Sequence, residues 1–243
     1  VREVMKVNIK DCYNFVVYGD SITKGVVYDE AKQRYVVLKE NFVNLVANNV
    51  KAAIYNAGKF GNNIIRALQK FETDVLKKNP DILLIEFGGN DCDFDWQAIA
   101  NNPEGQFSPK TDLELFSKTL NYIINYCRKL NIIPMLMTLP PLDSKRYFKW
   151  ICKNEKEAEK NILKWLGDVN RIYYWQEQYS KRVEELAAEN KVELIDVRET
   201  FLKEKEYSKY LCIDGIHPNK EGHKLIANKV MDYLNNNLQY ILR

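Results

Sequence analysis

A chain of 243 residues is long enough to bury a substantial hydrophobic core, and it falls in the size range of one α/β domain. Its 36 Lys and Arg against 33 Asp and Glu leave a net charge of +3, too small for the basic surface of a nucleic-acid-binding protein. No run approaches the roughly 18 apolar residues that span a bilayer, so stable membrane insertion is not expected. We therefore predict a single domain over residues 1–243, and charge alone indicates neither a partner nor an oligomeric state.

The cysteines give an expectation about the compartment. They are five in number, widely scattered, and contain no C-x-x-C pair typical of zinc or redox sites: Cys12, Cys92, Cys127, Cys152 and Cys212. This pattern favours reduced thiols and a cytoplasmic location. Because the chain begins at Val1, a removed leader stays open as an alternative.

Strand-like and helix-like segments alternate along the chain. Short apolar runs followed by turn or helix-starting residues predict five buried strands, at Phe15–Tyr18, Ala52–Asn56, Ile82–Phe87, Ile132–Thr138 and Val192–Val197. Periodicity of 3.6 residues predicts amphipathic helices between and after them, at Phe42–Asn49, Ile64–Leu76, Leu113–Cys127, Tyr174–Asn190 and Asn219–Asn237. Strand–helix alternation throughout predicts a three-layer α/β/α sandwich around a five-stranded parallel sheet.

One connection, at about 140–173, is far longer than the usual handful of residues. It carries a charged run at 153–160 and several tyrosine, phenylalanine and tryptophan side chains. We expect it to form a wall or lid. An acyl groove, a sugar platform, a partner surface and a packed helical insertion all stay open.

In parallel α/β sheets the ligand crevice lies beyond the carboxyl ends of the strands, so the residues that follow each strand are the candidates for chemistry. The first strand runs into Gly19-Asp20-Ser21, which puts a hydroxyl at that edge. Serine is a weak nucleophile unless a histidine, supported by an acid, removes its proton. Ser21 is therefore predicted to be a nucleophile if such a partner exists.

Two histidines are available, and one of them has the required setting. His217 lies just before the last helix, and Asp214 stands three residues earlier on a glycine-containing loop. Pro218 biases His217 away from helical geometry, so the Asp214 carboxylate can reach the imidazole and fix its tautomer. His223 lies within the helix itself and is expected to be solvated or packed.

Three donors for an oxyanion are expected after the first three strands: the backbone N–H groups of Ser21 and Gly61 and the side-chain amide of Asn90. Glycine permits close approach of the backbone to a ligand, and the asparagine amide donates without adding charge. Gly58, three residues before Gly61, is the alternative glycine.

These motifs, in this order, resemble the SGNH hydrolases, also called the GDSL esterase and lipase family. Ser21, Gly61, Asn90 and His217 match the family's four marker residues, and Asp214 with His217 matches its Asp-x-x-His block. Ile22 replaces the family's usual leucine. The resemblance covers residues 19–218, and it implies a flavodoxin-like sheet and cofactor-free, metal-free hydrolysis of an acyl ester through an acyl-enzyme.

The predicted substrate is a small-molecule ester with a short to medium acyl chain, with O-acetylated carbohydrates as the preferred class by resemblance. Contacts to it are assigned to neighbours of the motif residues, namely Asp20, Asn62, Asp91 and Ile216; Asp91 has the alternative role of holding the Asn90 loop. Lysophospholipids, thioesters and acyl transfer to an alcohol remain open, as does a non-catalytic module that binds carbohydrate or lipid.

Two other ligand sites are disfavoured by spacing. Asp91, Asp93 and Asp95 alternate like calcium ligands, but Trp96 occupies the position where an EF-hand turn needs glycine and Asn102 the position where it needs glutamate. Lys59 lies between Gly58 and Gly61, but without the spacing of a phosphate-binding loop. Neither a metal site nor nucleotide binding is predicted.

Overall fold

The computed structural model describes residues 12–242, and seven strands lie within that range. They are β1 (Asn14–Gly19), β2 (Val26–Asp29), β3 (Arg34–Val37), β4 (Ala53–Asn56), β5 (Ile82–Glu86), β6 (Ile133–Met137) and β7 (Glu193–Ile195). Five of them form a parallel sheet in the order β4-β1-β5-β6-β7. This is the flavodoxin-like order, so the predicted three-layer sandwich with five parallel strands is confirmed.

The central strands are apolar because the sheet is covered on both faces. Every residue of β5 is buried, as is all of β1 beyond its first residue. Strands that contact helices on both sides are expected to be continuously apolar rather than alternating. Glu86, at the end of β5, is the one charged residue in these two strands and is fully buried.

Helices cover the sheet and build the segments around it. They are α1 (Ser21–Lys24), α2 (Phe42–Ala47), α3 (Ile64–Asp74), α4 (Trp96–Asn101), α5 (Leu113–Lys129), α6 (Ser144–Cys152), α7 (Lys156–Leu166), α8 (Asn170–Asn190), α9 (Val197–Leu202) and α10 (Lys220–Asn237), with short 3-10 turns at Leu76–Lys78, Tyr207–Tyr210 and Gln239–Ile241. Many begin at a side-chain cap, as where Asn63 accepts from the Arg66 N–H and Asn219 from the Gly222 N–H. None of the helices in residues 12–242 is long and apolar enough to cross a membrane.

The buried apolar side chains form three clusters. One lies on the sheet face covered by α2 and α10, and a second on the face covered by α3, α5 and α8. The third is separate from both, and it joins α4 to α6, α7 and the start of α8. The segment 140–173 is therefore a packed helical insertion with its own apolar cluster, which was one of the alternatives left open for it.

Uninterrupted alternation of strand and helix was predicted, and this is wrong at one place. The strands β2 and β3 form a separate antiparallel hairpin between α1 and α2. Most of its residues are half-buried or exposed, so it lacks the continuous apolar run that marked the other strands. The hairpin matters for function because it carries Tyr35 to the site described next.

Candidate active site

Ser21 lies where the first strand of the sheet ends. It is the first residue of α1, and the preceding Asp20 caps this short helix by accepting a hydrogen bond from the Ile22 N–H at 2.8 Å. Gly25 ends the helix after one turn in the left-handed conformation, with φ of 85°. The sharp strand-to-helix turn holds the hydroxyl at the carboxyl edge of the sheet, where only 6% of the residue is exposed.

The loop from Leu211 to Pro218 brings a histidine and an acid to that hydroxyl. Its two ends pair as an isolated antiparallel bridge, and Gly215 turns the chain with φ of 75°. The His217 Nε2 lies 2.9 Å from the Ser21 Oγ, and its Nδ1 lies 2.6 Å from the Asp214 Oδ2. The structure thus brings together, in one hydrogen-bonded chain, the three residues predicted to be catalytic.

Asp214 is fully buried, but its surroundings favour the charged form. Burial by itself raises the pKa of this carboxyl; hydrogen bonds from the His217 ring and from the backbone N–H groups of Ile216 and His217 outweigh it, and the net pKa lies below the usual value. An ionised carboxylate at Nδ1 fixes the tautomer in which Nε2 accepts a proton. The arrangement suits general base catalysis by His217 with Ser21 as nucleophile.

Gly61 and Gly58 differ sharply in their surroundings. A side chain at Gly58 would collide with the backbone of Lys24 at 2.2 Å, so Gly58 lets its loop pack against the end of α1. Gly61 adopts φ of 67°, a side chain there would meet nothing within 4 Å, and the residue lines a cavity beside Ser21. The geometry favours Gly61 over Gly58 as the residue whose backbone faces a ligand.

Asn90 lines the same cavity, and its amide is held by a neighbour. Its Nδ2 donates to the Asp20 Oδ2 at 3.1 Å. A side-chain amide has two N–H groups, so one bond to Asp20 leaves the second for a ligand. The Ser21 N–H, at the first turn of α1, is likewise without an intrahelical acceptor. Ser21, Gly61 and Asn90, the three residues predicted to supply oxyanion donors, therefore line one cavity.

A second buried carboxyl, Glu86, lies beneath these donors and was not predicted to belong to the site. It accepts a hydrogen bond from the Thr23 hydroxyl at 2.9 Å, and its carboxyl interacts with that of Asp20. Burial raises the pKa of Glu86 well above its usual value, and the charge of Asp20 raises it further. Burial beside the Asp20 carboxyl therefore favours the protonated form of Glu86. The signal for it in the sequence was a glutamate closing an otherwise apolar strand.

The four predicted substrate contacts divide into two pairs. Asp20 and Ile216 line the cavity, whereas Asn62 and Asp91 do not. Asp91 accepts a hydrogen bond from the Ile64 N–H at 3.0 Å, which ties the Asn90 loop to the start of α3, and burial raises its pKa to about 6. This is the alternative role considered for Asp91. Asn62 is buried outside the cavity.

The cavity of about 180 Å³ extends from Ser21 toward the helical insertion. Its far wall is apolar and aromatic, contributed by α4, α6, α8 and the loops before them: Phe94, Trp96, Leu142, Tyr147, Ile172 and Trp175. The rings of Phe94 and Trp175 lie 4.6 Å apart between centroids, so this wall is closely packed. Its composition suits the hydrocarbon part of a ligand.

The three alternating carboxylates after β5 all have protein partners. Asp93 accepts from the Tyr147 hydroxyl at 2.8 Å and from the Trp96 indole at 2.7 Å, and it pairs with Lys110. Asp95 caps α4. In the described part of the chain no group of three or more His, Cys, Asp or Glu side chains is arranged to hold a metal ion.

Tyr35 is the other site residue that sequence reasoning missed. Its hydroxyl donates to the Asp214 Oδ2 at 3.1 Å across 179 residues of chain, and its ring lies 5.2 Å from the His217 ring. Phe60, with 55% of its surface exposed, stacks on the His217 ring at 6.3 Å and contacts the Tyr35 ring at 5.4 Å. Tyr35 and Phe60 line the cavity, Trp150 contacts Tyr35 at 6.2 Å, and these three rings are called the aromatic rim below.

The model of the GDSL-like lipase/acylhydrolase family matches residues 17–225, which is most of the chain. Two curated relatives are similar. An uncharacterized lipoprotein of Bacillus subtilis, YqeF, is 36% identical over 129 residues, covering 52% of this chain and 48% of the relative. The GDSL esterase/lipase CPRD49 of Arabidopsis thaliana is 27% identical over 74% of this chain and 66% of the relative. The matched part thus spans about half of the first relative and about two thirds of the second.

Among solved structures, a mutant of Axe2, an acetyl-xylooligosaccharide esterase from Geobacillus, superposes with a TM-score of 0.66. The match covers 93% of this chain and 95% of that chain at 21% sequence identity. At this identity the likeness concerns the fold.

Proposed function

The chain belongs to the GDSL-like lipase/acylhydrolase family, and we propose that it hydrolyses carboxylic esters through an acyl-enzyme on Ser21. The observation that carries the proposal is the continuous chain of hydrogen bonds from the Ser21 hydroxyl through His217 to the ionised Asp214, which opens onto a cavity lined by oxyanion donors. The name of the Arabidopsis relative, an esterase/lipase, points to the same class of reaction.

In the first half-reaction the Ser21 Oγ attacks the ester carbonyl while His217 Nε2 takes its proton. Negative charge develops on the carbonyl oxygen, where the N–H groups of Ser21 and Gly61 and the free N–H of Asn90 stabilise it. Donors that are already oriented typically contribute a few kcal/mol each to the stability of such a transition state. The C–O bond to the alcohol then breaks, and the departing alcohol takes the proton from His217.

In the second half-reaction water attacks the acyl-enzyme. His217 Nε2 removes a proton from the water, the ester bond to Ser21 breaks, and Ser21 recovers its proton from His217 as the carboxylic acid leaves. Asp214 stays ionised throughout and stabilises each imidazolium. The buried Asp20 and Glu86 do not exchange protons with substrate; they hold Asn90 in place.

The substrate proposed is a short-acyl ester of a carbohydrate. A cavity of about 180 Å³ with an apolar wall favours a short acyl group on the inner side of the serine. On the outer side the aromatic rim of Tyr35, Phe60 and Trp150 offers flat apolar faces, against which the C–H face of a sugar ring can pack. The Geobacillus enzyme is named an acetyl-xylooligosaccharide esterase, which motivates the same choice.

The first test is release of p-nitrophenol from acetyl, butyryl and octanoyl esters by the purified chain, with Ser21→Ala as the critical variant and Ser108→Ala, an exposed serine, as its control. We expect wild type and Ser108→Ala to turn over and Ser21→Ala to be inactive. Labelling by a fluorophosphonate should add one adduct, on Ser21, by mass spectrometry. Turnover that persists in Ser21→Ala contradicts the assignment of the nucleophile.

The choice of alcohol has its own test. Release of acetate from acetylated xylooligosaccharides should have a higher kcat/KM than release from p-nitrophenyl acetate, and free xylooligosaccharide should inhibit. Folded wild-type protein that binds these sugars but cleaves no ester would instead identify a binding module. The cytoplasmic location stays a prediction, since the Bacillus relative is named a lipoprotein.

A further inference from the structure

The hydroxyl of Tyr35 contacts the carboxylate of the proposed triad from outside the loop that carries it. It donates to the Asp214 Oδ2 at 3.1 Å, the same oxygen that lies 2.6 Å from the His217 Nδ1. The other oxygen, Oδ1, accepts from the Ile216 and His217 backbone N–H groups, at 3.0 and 3.1 Å. Oδ2 is thus shared between the imidazole and a phenol, with the phenol supplied by the β2–β3 hairpin.

Tyr35 keeps its proton over the whole range in which the triad works. Burial raises the pKa of its hydroxyl, and the neighbouring charge of Asp214 raises it further. It is therefore a hydrogen-bond donor at every pH at which His217 could act as a base. A donor to an ionised carboxylate withdraws charge from it and competes with the imidazolium for that charge.

We infer that Tyr35 is a positioning residue that orients the Asp214 carboxylate and, by sharing Oδ2, lowers the pH at which His217 becomes a neutral base. The inference rests on the proposed ester hydrolysis. The direction follows from charge: with Tyr35 bound, Oδ2 stabilises the imidazolium less, so His217 loses its proton more readily. The hydrogen bond also opposes rotation of the carboxylate away from Nδ1.

Other titratable groups face the Asp214–His217 pair from each neighbouring element. The charge of His217 acts on Asp20, before α1, and on His223 of α10. Burial raises the pKa of the Cys212 thiol, on the same loop, and the charge of Asp214 raises it further. The carboxyl of Glu86 interacts with that of Asp20 and so affects the Asp214–His217 pair indirectly. Removal of the Tyr35 hydroxyl leaves all of these groups in place, so a change in pH dependence can be assigned to that hydroxyl.

The ring of Tyr35 is held independently of its hydroxyl. It packs against Tyr28 with centroids 5.3 Å apart, against Phe60 at 5.4 Å and against Trp150 at 6.2 Å. A phenylalanine keeps these ring contacts, so Tyr35→Phe deletes the hydrogen bond to Asp214, and the interaction of the hydroxyl with Trp150, while the hairpin stays packed. Tyr28→Phe is the matched control, because the Tyr28 hydroxyl bonds to Gln33 within the hairpin and not to the triad.

The deciding experiment is the pH dependence of kcat/KM for p-nitrophenyl acetate in wild type, Tyr35→Phe and Tyr28→Phe. In Tyr35→Phe we expect the acidic limb to move to higher pH by roughly half a unit, with a several-fold lower kcat on the plateau. Tyr28→Phe should overlay wild type. An acidic limb of Tyr35→Phe that coincides with wild type overturns the inference.

A second readout needs no substrate, so it separates this inference from the proposed function. The His217 ring signals can be followed by NMR against pH in the same three proteins; the chain has two histidines, and His223→Asn assigns them. In Tyr35→Phe the His217 signals should titrate at higher pH, and the proton between Nδ1 and Oδ2 should resonate further downfield. Unchanged signals refute the role of Tyr35 even if esters are cleaved; changed signals in a protein that cleaves no ester refute only the proposed function.

Discussion

The loop that carries Asp214 and His217 and the helical insertion that walls the cavity are built in opposite ways. The loop holds its acid and base three residues apart, and most of the hydrogen bonds to Asp214 come from the loop itself. The wall gathers side chains from α4, α6 and α8, which are separated by tens of residues. Reactive groups are thus fixed by short segments, whereas the shape of the cavity depends on how distant segments pack.

The loop and the wall should also differ in how strongly a substitution changes the reaction rate. A change at the loop alters charge at the reacting atoms, where a misplaced group has a large effect on rate. A change at the wall alters the volume and the contacts of the acyl group, where the effect per methylene is small. Loop variants should therefore lower kcat strongly, whereas wall variants should mainly change the ratio of kcat/KM between long and short acyl esters.

The largest effect is expected from Asp214→Asn, a substitution on the loop that carries the proposed acid and base. An amide cannot stabilise the imidazolium and favours the wrong tautomer of His217, so kcat should fall on the order of a thousandfold or more. Steady-state kinetics on p-nitrophenyl acetate measures it, with the exposed Asp232→Asn on α10 as the control. A loss of less than tenfold in a folded protein would show that Asp214 does not act in this way.

Asn90, the proposed oxyanion donor, comes next. Asn90→Ala removes one oriented donor, and kcat should drop by roughly a hundredfold with little change in KM. The exposed Asn125→Ala on α5 serves as the matched control and should remain within a few-fold of wild type. Circular dichroism of both variants checks that the loss of the bond to Asp20 leaves the fold intact. A rise in KM at constant kcat would instead assign Asn90 to ground-state binding.

The second histidine, His223, is a useful contrast to His217, because the proposed mechanism gives it no part in proton transfer. His223 is fully buried against Phe42, and burial lowers its pKa to about 3. Because the folded pKa is depressed below the unfolded value, the contribution to stability is present above about pH 6.5 and is lost as pH falls. Between about pH 7 and about pH 5 that loss is about 2 kcal/mol.

In His223→Asn this part of the acid sensitivity should disappear. Urea unfolding of both proteins at the two pH values measures it, and the variant should lose about 2 kcal/mol less than wild type. The same loss in both proteins would mean that His223 is protonated in the folded state.

The smallest effect is expected at the wall. Trp175→Ala enlarges the cavity, and the ratio of kcat/KM for octanoyl over acetyl esters should rise by roughly tenfold while kcat for the acetyl ester changes little. Tyr174→Ala, its exposed neighbour on α8, should keep the wild-type ratio. An unchanged ratio in Trp175→Ala would show that the acyl group lies elsewhere, with the wall then facing the alcohol.

Much of the sheet and of the reactive set was predictable. Buried parallel strands are continuously apolar and short, so all five were found to within a few residues of their bounds, as with Ile82–Phe87 against Ile82–Glu86. Ser21 and His217 follow or precede such elements in short motifs, which is why they could be named in advance. The β2–β3 hairpin was not predicted because its residues are partly exposed and show no clear alternation of apolar and polar side chains.

The sequence by itself determined the order of the five sheet strands, the main helices that cover them and the polar residues at the carboxyl edge of the sheet, since periodicity and turn chemistry act over a few residues. Only the tertiary structure decided that Gly61 rather than Gly58 faces the cavity, that Glu86 supports Asp20, and that Tyr35 reaches Asp214. Each of these depends on contacts between segments far apart in the chain, where no local pattern constrains the partner. The packing of the whole fold alone brings such side chains within hydrogen-bond distance.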